Sequence, residues 1–143
     1  MLPPTMPQPV IVLDTNAALD WLLFADPACA GLAEAIGAGQ LQWQACPVMR
    51  AELADVLERG LAARRGRIAQ TVLDEFDRHA LPAPAPPAGP LRCTDPDDQV
   101  FIDLACANGA RWLISRDRAL LALARPAARL GLCIVPPLRW QMQ

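Results

Sequence analysis

The sequence of 143 residues contains no lysine, one histidine (His79) and one serine (Ser115). A Ser-His-Asp hydrolase would depend entirely on His79, and no Gly-x-Ser-x-Gly motif surrounds Ser115, so this enzyme class is not indicated. A structural zinc site needs cysteines or histidines in close pairs, and none is present. The five cysteines are widely spaced, without a Cys-x-x-Cys pair, which is typical of a reduced compartment. We therefore expect the protein in the cytoplasm.

Membrane and nucleotide signals are also missing. Residues Met1–Pro9 are rich in proline and hold no basic residue, so they do not resemble a signal peptide. The apolar run Trp21–Ala25 is far too short to span a bilayer, and we expect no membrane partner. The sequence has no Gly-x-Gly-x-x-Gly and no Gly-Lys-Ser/Thr phosphate loop.

The composition indicates one folded domain. Hydrophobic residues make up 53% of the chain, which argues against disorder. The net charge of −2 does not suggest bulk binding of nucleic acid, although it leaves room for a local basic patch. All 13 positive side chains are arginines. This bias suits phosphate, but we favour genome composition as its explanation.

Hydrophobic periodicity predicts strands that alternate with helices. Val10–Leu13 has the apolar, β-branched character of a strand buried on both faces, and Thr15 or Asn16 could cap the helix that follows. Asp26-Pro27 opens a second helix, which runs to Gly37 or Gly39. Further strands are predicted at Leu41–Cys46, Leu91–Cys93, Trp112–Ile114 and Leu132–Val135, and further helices at Pro47–Gly60, Ile68–His79, Thr94–Asn108 and after Asp117.

This order predicts an α/β fold with three layers (α/β/α) and a central parallel sheet of four to five strands. Residues 1–9 are expected to form a flexible leader, and residues 10–143 a single domain. Leu81–Pro90 contains five prolines and is predicted to be a stiff surface connector or a lid.

Two aspartates follow strands of the predicted sheet. Asp14 comes directly after the first strand, and Asp117 lies shortly after the strand Trp112–Ile114. Ligands bind at the carboxyl ends of strands in open parallel sheets, so these two carboxylates should lie at one edge. The alternative for each is that it only caps the next helix.

Two more carboxylates lie beside apolar helix faces. At 100° per residue, Glu52 falls on the shoulder of the stripe formed by Met49 and Leu53. Asp98 points along the face of Phe101 and Ile102 while Asp95 or Asp97 caps that helix, and Asp103 faces the other way. The alternatives are an exposed helix-edge charge for Glu52 and simple crowding of a helix N-terminus for Asp98.

Three or four carboxylates gathered at one edge would repel each other without a cation. Oxygen ligands of this kind suit Mg²⁺ or Mn²⁺. Such ions can activate water and stabilise the leaving oxygen in phosphodiester hydrolysis, which requires neither histidine nor cysteine.

The motifs, taken together and in order, resemble the PIN domain family over essentially the whole chain from Val10 onward. The matching pieces are Val12-Leu13-Asp14-Thr15-Asn16, Glu52, Asp95-Pro96-Asp97-Asp98-Gln99-Val100-Phe101, the segment Ala107–Asp117, and Gly131–Pro136. The Asp-Pro-Asp-Asp variety resembles the branch described as toxin components of toxin–antitoxin systems.

The resemblance implies a PIN-like endoribonuclease with Mg²⁺ or Mn²⁺ bound at a catalytic acidic quartet, and it also implies an RNA substrate, a cognate antitoxin protein and a possible homodimer. Its implied residues fall into three groups: the metal-binding acids Asp14, Glu52, Asp98 and Asp117; the supporting residues Thr15, Asn16 and Ser115; and the substrate-binding Arg116 and Arg118.

Three alternatives remain open for the function. The chain could be a DNA-directed nuclease of this fold, or a catalytically silent PIN-like module that binds RNA or protein. A receiver domain is also acidic at its strand ends, but it expects a lysine that this chain lacks. The arginines 59, 64, 65 and 67 could contact phosphate or form a solvated turn, and Trp21 could stack on a base or belong to the core.

Overall fold

The computed structural model describes residues 8–142, so most of the predicted leader, residues 1–7, and Gln143 lie outside the described residues. Of the leader, Pro9 accepts a hydrogen bond from the backbone N–H of Gln42 at 2.9 Å. The described chain forms one parallel five-stranded sheet with helices, which confirms the predicted α/β class.

The sheet has the strand order β3-β2-β1-β4-β5, and all four pairings are parallel. Its strands are β1 (Val10–Leu13), β2 (Gln42–Ala45), β3 (Ala80–Pro82), β4 (Trp112–Ile114) and β5 (Cys133–Val135). β1 lies in the centre and is buried because strands flank it on both sides and helices cover the sheet.

The α-helices are α1 (Thr15–Leu22), α2 (Ala30–Gly37), α3 (Pro47–Val56), α4 (Ala62–Arg64), α5 (Ala69–His79), α6 (Gln99–Ala107), α7 (Arg118–Leu121) and α8 (Ala124–Arg129). Side chains alternate between the two faces of a strand. Trp43 of β2 packs against Trp21 of α1 and Phe76 of α5 on one face. The next residue, Gln44, points to the opposite face and accepts a hydrogen bond from Asn108 at the end of α6.

The predicted strand at Leu91–Cys93 is wrong, because the third strand lies earlier, at Ala80–Pro82. The backbone of the 91–93 segment bonds to a side chain instead of a neighbouring strand. The Gln99 amide donates to the carbonyl of Leu91 and accepts from the N–H of Cys93, both at 2.8 Å. The proline-rich connector therefore starts within β3, and its end is tied to α6.

The structure agrees with the predicted helix end at Gly60 and corrects the predicted cap of α1. Gly60 ends the regular part of the third helix, as predicted, because the turn Leu57–Leu61 is kinked at this residue and α4 follows the kink. Gly60 adopts a φ of 119° inside this turn, a conformation that glycine tolerates. The cap of α1 is Asp14 itself, whose side chain accepts from the N–H of Ala17, and neither Thr15 nor Asn16 occupies that position.

Within residues 8–142, no helix combines the length and apolar character that a crossing of the bilayer requires.

Candidate metal centre

The fold brings the ends of β1 and β4 together. Asp14 follows β1 and caps α1, while Asp117 follows β4 by two residues and caps α7 through the N–H groups of Ala119 and Leu120. Each aspartate is therefore held by the start of a helix, as the capping alternative required. Both also line one cleft of about 110 Å³ at the carboxyl edge of the sheet, so capping a helix does not remove them from a shared cleft.

Asp14 is the most deeply buried of the four acids, with 4% of its surface exposed. One carboxylate oxygen accepts from the Ala17 N–H at 2.7 Å, and the other accepts from the Ser115 hydroxyl. The Ser115 oxygen in turn accepts from the N–H of Asp117 at 2.9 Å. Ser115 thus connects the two strand ends and fixes the orientation of Asp14.

Burial raises the pKa of Asp14 from 3.8 to about 6, against the lowering effect of its hydrogen bonds to Ser115 and Ala17. The nearby charge of Asp117 adds to the increase. A buried carboxylate whose pKa rises in this way is one that a cation would stabilise in its charged form.

Asp98 enters the cleft from a short 3₁₀ turn (Pro96–Asp98) that precedes α6. Asp95 caps this turn by accepting a hydrogen bond from the N–H of Asp97. The side chain of Asp98 forms no capping hydrogen bond to α6. Burial, together with the charges of Asp117, Asp95 and Asp14, raises the pKa of Asp98 from 3.8 to about 7. Asp117 has the largest charge effect on Asp98, and a side-chain hydrogen bond between the two also raises the pKa of Asp98, so their side chains face a shared space.

Glu52 completes the acidic lining from α3. It is solvent-exposed, whereas the next residue, Leu53, is buried, so Glu52 lies on the shoulder of the helix that the periodicity indicated. Thr15 and Asn16 line the same cleft from the first turn of α1. The Thr15 hydroxyl is buried and has no hydrogen-bond partner within the described structure.

The chemistry of this lining fits a hard divalent cation. It provides four carboxylates, the Thr15 hydroxyl and the Asn16 amide, and none of its residues is cationic. Oxygen donors of this type are those that Mg²⁺ and Mn²⁺ select. In the part of the chain that is described, no three acidic, histidine or cysteine side chains are already close enough to hold a metal. The carboxylates therefore converge on one cleft without forming a closed ligand shell.

Arg116 is engaged with a buried acid. Its guanidinium donates two hydrogen bonds, at 2.8 and 2.9 Å, to the two carboxylate oxygens of Asp20 on α1. This bidentate pair joins α1 to the residue before Asp117, so it braces the loop that carries that acid. Arg118 is exposed on the first turn of α7, and within residues 8–142 no carboxylate lies within 4 Å of it.

The other predicted nucleic-acid contacts do not line the cleft. Arg59 pairs with Asp55 at 3.0 Å, and Arg67 lies 3.9 Å from a carboxylate oxygen of Glu75. Trp21 is half-buried and packs against Trp43 and His79, with ring centroids 5.5 and 5.0 Å apart, so it contributes to the packing around the core.

Sequence reasoning missed Asp20 and Gln99. Asp20 is the only charged residue between Asn16 and Phe24, and a lone carboxylate in so apolar a helix was an available signal. Gln99 and Asp103 lie one helical turn apart on α6 and hold the connector together: Gln99 bonds residues 91 and 93, and Asp103 accepts from Gln99 and from the N–H of Gly89.

Comparisons with known proteins agree on the fold. The structure is similar to VapBC2 from Rickettsia felis, solved bound to a DNA fragment from their promoter, with a TM-score of 0.63 and 15% identity over 87% of this chain and 96% of that chain. It is similar to PAE2754 from Pyrobaculum aerophilum, with a TM-score of 0.58 and 20% identity over 92% of each chain. No curated protein sequence matches significantly. The family described as PIN domain matches residues 10–119, which is more than half of the sequence, and the chain therefore belongs to the PIN domain family.

Proposed function

We propose that this protein is a metal-dependent endoribonuclease that hydrolyses RNA phosphodiester bonds. PIN domains are generally hydrolytic nucleases, and the chain belongs to that family. The observation that carries the proposal is the cleft itself, in which Asp14, Glu52, Asp98 and Asp117 converge from distant parts of the sequence.

The protein's own residues would bind the ion and orient the substrate. Asp14, Asp98 and Glu52 would hold Mg²⁺ or Mn²⁺, and Asp117 would complete the set. Bound there, the ion would supply an activated water and stabilise the leaving oxygen. Ser115 keeps Asp14 in place through its hydrogen bond.

The remaining polar residues of the cleft would support the substrate. Thr15 and Asn16 line the cleft, and the Asn16 amide and the buried, unpartnered Thr15 hydroxyl would bind water or a phosphate oxygen beside the acids. Arg118 has a guanidinium that suits phosphate, whereas the bidentate bond of Arg116 to Asp20 supports a positioning role for Arg116.

The test uses purified protein and single-stranded RNA. We expect cleavage in Mg²⁺ or Mn²⁺, loss of cleavage with EDTA, and loss with Asp14→Asn. The matched control is Asp97→Asn, because Asp97 is exposed, adjoins Asp98 and does not line the cleft. Cleavage that survives Asp14→Asn but not Asp97→Asn would show that the centre is misassigned.

Two alternatives have distinct outcomes in the same assay. A DNA-directed nuclease would cut single-stranded DNA of the same sequence faster than RNA. A catalytically silent module would bind RNA in Mn²⁺ without cutting it, and the Asp14→Asn substitution would then change neither result.

We further propose that the protein is the toxin of a toxin–antitoxin pair in the cytoplasm, where its five free cysteines would stay reduced. Its similarity to VapBC2 and the Asp-Pro-Asp-Asp motif support an antitoxin partner, and a homodimer is a further expectation. We expect expression to stop growth, and Asp14→Asn or co-expression of a small neighbouring gene product to restore it. Harmless expression of an active nuclease would contradict the toxin assignment.

A further inference from the structure

The charges of this protein are divided along the chain. All fifteen acidic residues lie at or before Asp117, while residues 118–143 contain four arginines and no acidic residue. Although the net charge of the chain is −2, residues 118–143 therefore carry a positive charge. This part includes α7, α8 and β5, which begin beside the acidic cleft and extend to the edge of the sheet.

A groove of about 660 Å³ runs along this edge. β5 is the last strand of the sheet; Cys133 and Val135 bond to β4, so the N–H and C=O of Ile134 point outward. α8 borders the groove on one side, and Arg139 and Trp140 border it on the other.

The groove has cationic walls. Arg111 and Arg139 line it directly. On α8, Ala124 and Ala128 face the groove and Ala127 faces the core, so Arg125 and Arg129 fall on the outer side at 100° per residue. Two guanidinium groups thus line the groove, and two more lie on the outer side of the helix that borders it.

These four arginines differ from the cluster at residues 59–67. In that cluster Arg59 and Arg67 face the carboxylates of Asp55 and Glu75. Around the groove, within the described residues 8–142, no carboxylate lies within 4 Å of any of the four arginines. In the described part of the chain, these four guanidinium groups are therefore not neutralised by a carboxylate, and that of Arg111 lies over the Trp112 ring, 4.8 Å from its centroid.

The groove and the cleft are neighbours in the sheet. Val135 lines the groove, and its carbonyl accepts from the N–H of Ser115 at 3.1 Å. The hydroxyl of Ser115 contacts Asp14 in the cleft. Adjacent strands lie about 4.8 Å apart, so one strand, β4, separates the end of the groove from the acids.

We propose that this groove binds a single-stranded RNA segment that extends beyond the phosphodiester bond held in the cleft. The inference rests on the proposed function for its ligand. Guanidinium groups bind phosphate bidentately, and the half-buried Trp140, which packs edge-on against Trp112 with ring centroids 5.6 Å apart, lines the groove and can stack on a base there. The continuity with the cleft favours RNA over an acidic peptide, which has no reason to approach the carboxylates.

The first test measures the binding of fluorescein-labelled oligouridine of about 12 nucleotides to the Asp14→Asn protein in EDTA. In this background, Arg111→Gln/Arg139→Gln removes two groove cations. The matched control, Arg64→Gln/Arg78→Gln, removes two exposed arginines outside the groove. We expect the groove variant to bind about tenfold more weakly, and the control variant less than about twofold more weakly. The slope of log K against the logarithm of salt concentration should also decrease by roughly 1.4 in the groove variant, because two phosphate contacts are lost.

The second test needs no substitution in the groove. Cys133 is an exposed thiol that lines it, and Cys106 is half-buried and lies outside it. We expect oligouridine to slow maleimide modification of Cys133 several-fold, as read by peptide mass spectrometry, while Cys106 reacts at an unchanged rate.

The outcomes separate this proposal from the nuclease proposal. Equal loss of binding in both double variants, or a Cys133 that RNA does not protect, overturns the proposal that the groove binds RNA, even when the protein cleaves RNA. Protection of Cys133 by polyglutamate but not by oligouridine overturns it in favour of an acidic peptide. Specific loss and protection by RNA support it, even for a protein that turns out not to cleave.

Discussion

The pair formed by Asp20 and Arg116 should contribute to both stability and catalysis. The carboxylate is buried, with 8% of its side chain exposed, and the guanidinium remains 57% exposed. Substituting Arg116→Gln leaves the Asp20 carboxylate buried without its charged partner. The substitution also frees the loop that presents Ser115 and Asp117, since the pair ties that loop to α1.

The expected loss of folding stability follows from the partial burial of this ion pair. Exposed ion pairs contribute about 0.2–1 kcal/mol and breaking fully buried pairs costs about 3–5 kcal/mol, so we expect a loss of about 2 kcal/mol here. For a domain of this size, that corresponds to a decrease in Tm of roughly 6 °C. The same substitution should lower kcat, because it displaces Asp117, and leave RNA binding in the groove unchanged.

A double-mutant cycle isolates the pair energy. Asp20→Asn, Arg116→Gln and the double variant are compared by urea unfolding, and we expect a coupling of about 1.5–2 kcal/mol. The control cycle uses Arg50 and Asp77, which also form two hydrogen bonds at 2.8 Å but are 41% and 48% exposed and lie outside the cleft. Its coupling should be about 0.5 kcal/mol, with unchanged cleavage.

Two results would refute this reasoning. Equal coupling energies in the two cycles would mean that the burial of Asp20 does not strengthen its ion pair with Arg116. Weaker RNA binding with Arg116→Gln, but not with Asp20→Asn, would mean that Arg116 contacts substrate directly, as the family resemblance implies, and is not a positioning residue.

Three further predictions concern other parts of the site. The folded-state pKa of Asp98, about 7, exceeds its ordinary value of 3.8, so protonation favours the folded state and its stabilising effect is lost as the pH rises from about 4 through 7. The metal-free protein should accordingly melt at a lower temperature at pH 8 than at pH 5.5. Either Mg²⁺ or Asp98→Asn should reduce this difference in Tm. A difference that neither of them changes would mean that Asp98 is not its source. Gln99→Ala should cost about 1–2 kcal/mol and speed limited proteolysis near residues 89–93, because it removes the partners of Leu91 and Cys93; unchanged proteolysis would show that the clamp is dispensable. Leu53→Ala should cost about 2–5 kcal/mol by leaving a cavity beneath Glu52, and a smaller loss in urea unfolding would show that α3 relaxes into the space.

The sheet was predictable because its strands carry their own signal. β1 and β4 are short apolar runs that stop at polar residues, and topology alone places Asp14 and Asp117 at one edge. Helical periodicity was sufficient to orient Glu52 and Asp98 toward the same edge. The lining of the cleft therefore depends mainly on local pattern and strand order.

The third strand was not predictable in this way. Ala80–Pro82 has three residues and ends in proline, whereas Leu91–Cys93 looked like a strand by composition. What separates them is the tertiary partner. β3 pairs with β2 at the edge of the sheet, where proline is tolerated, while the later segment bonds to the side chain of Gln99.

The sequence also did not predict which charged residues form ion pairs with each other. Arg116 adjoins Asp117 in the chain, yet its guanidinium bonds to Asp20, ninety-six residues away. Such pairing depends on how α1 packs beside the end of β4, and no local pattern encodes that distance. The same limit explains why the cluster at residues 59–67, the densest in sequence, is partly neutralised in the fold, while the C-terminal arginines have no carboxylate within 4 Å in the described residues.

Net charge is consequently a poor guide to what this protein can bind. Charges separated by more than about 8–10 Å are largely screened at physiological salt, so RNA would sense the local surface and not the total of −2. The boundary between the two surfaces falls at Asp117 and Arg118, where the last acidic residue meets the first of the four C-terminal arginines. A phosphate approaching the cleft would be repelled until a cation neutralises the acids, whereas a phosphate in the groove would need no metal. Removal of metal should therefore abolish cleavage while leaving groove binding intact, which is why the binding assay in EDTA can separate the two surfaces.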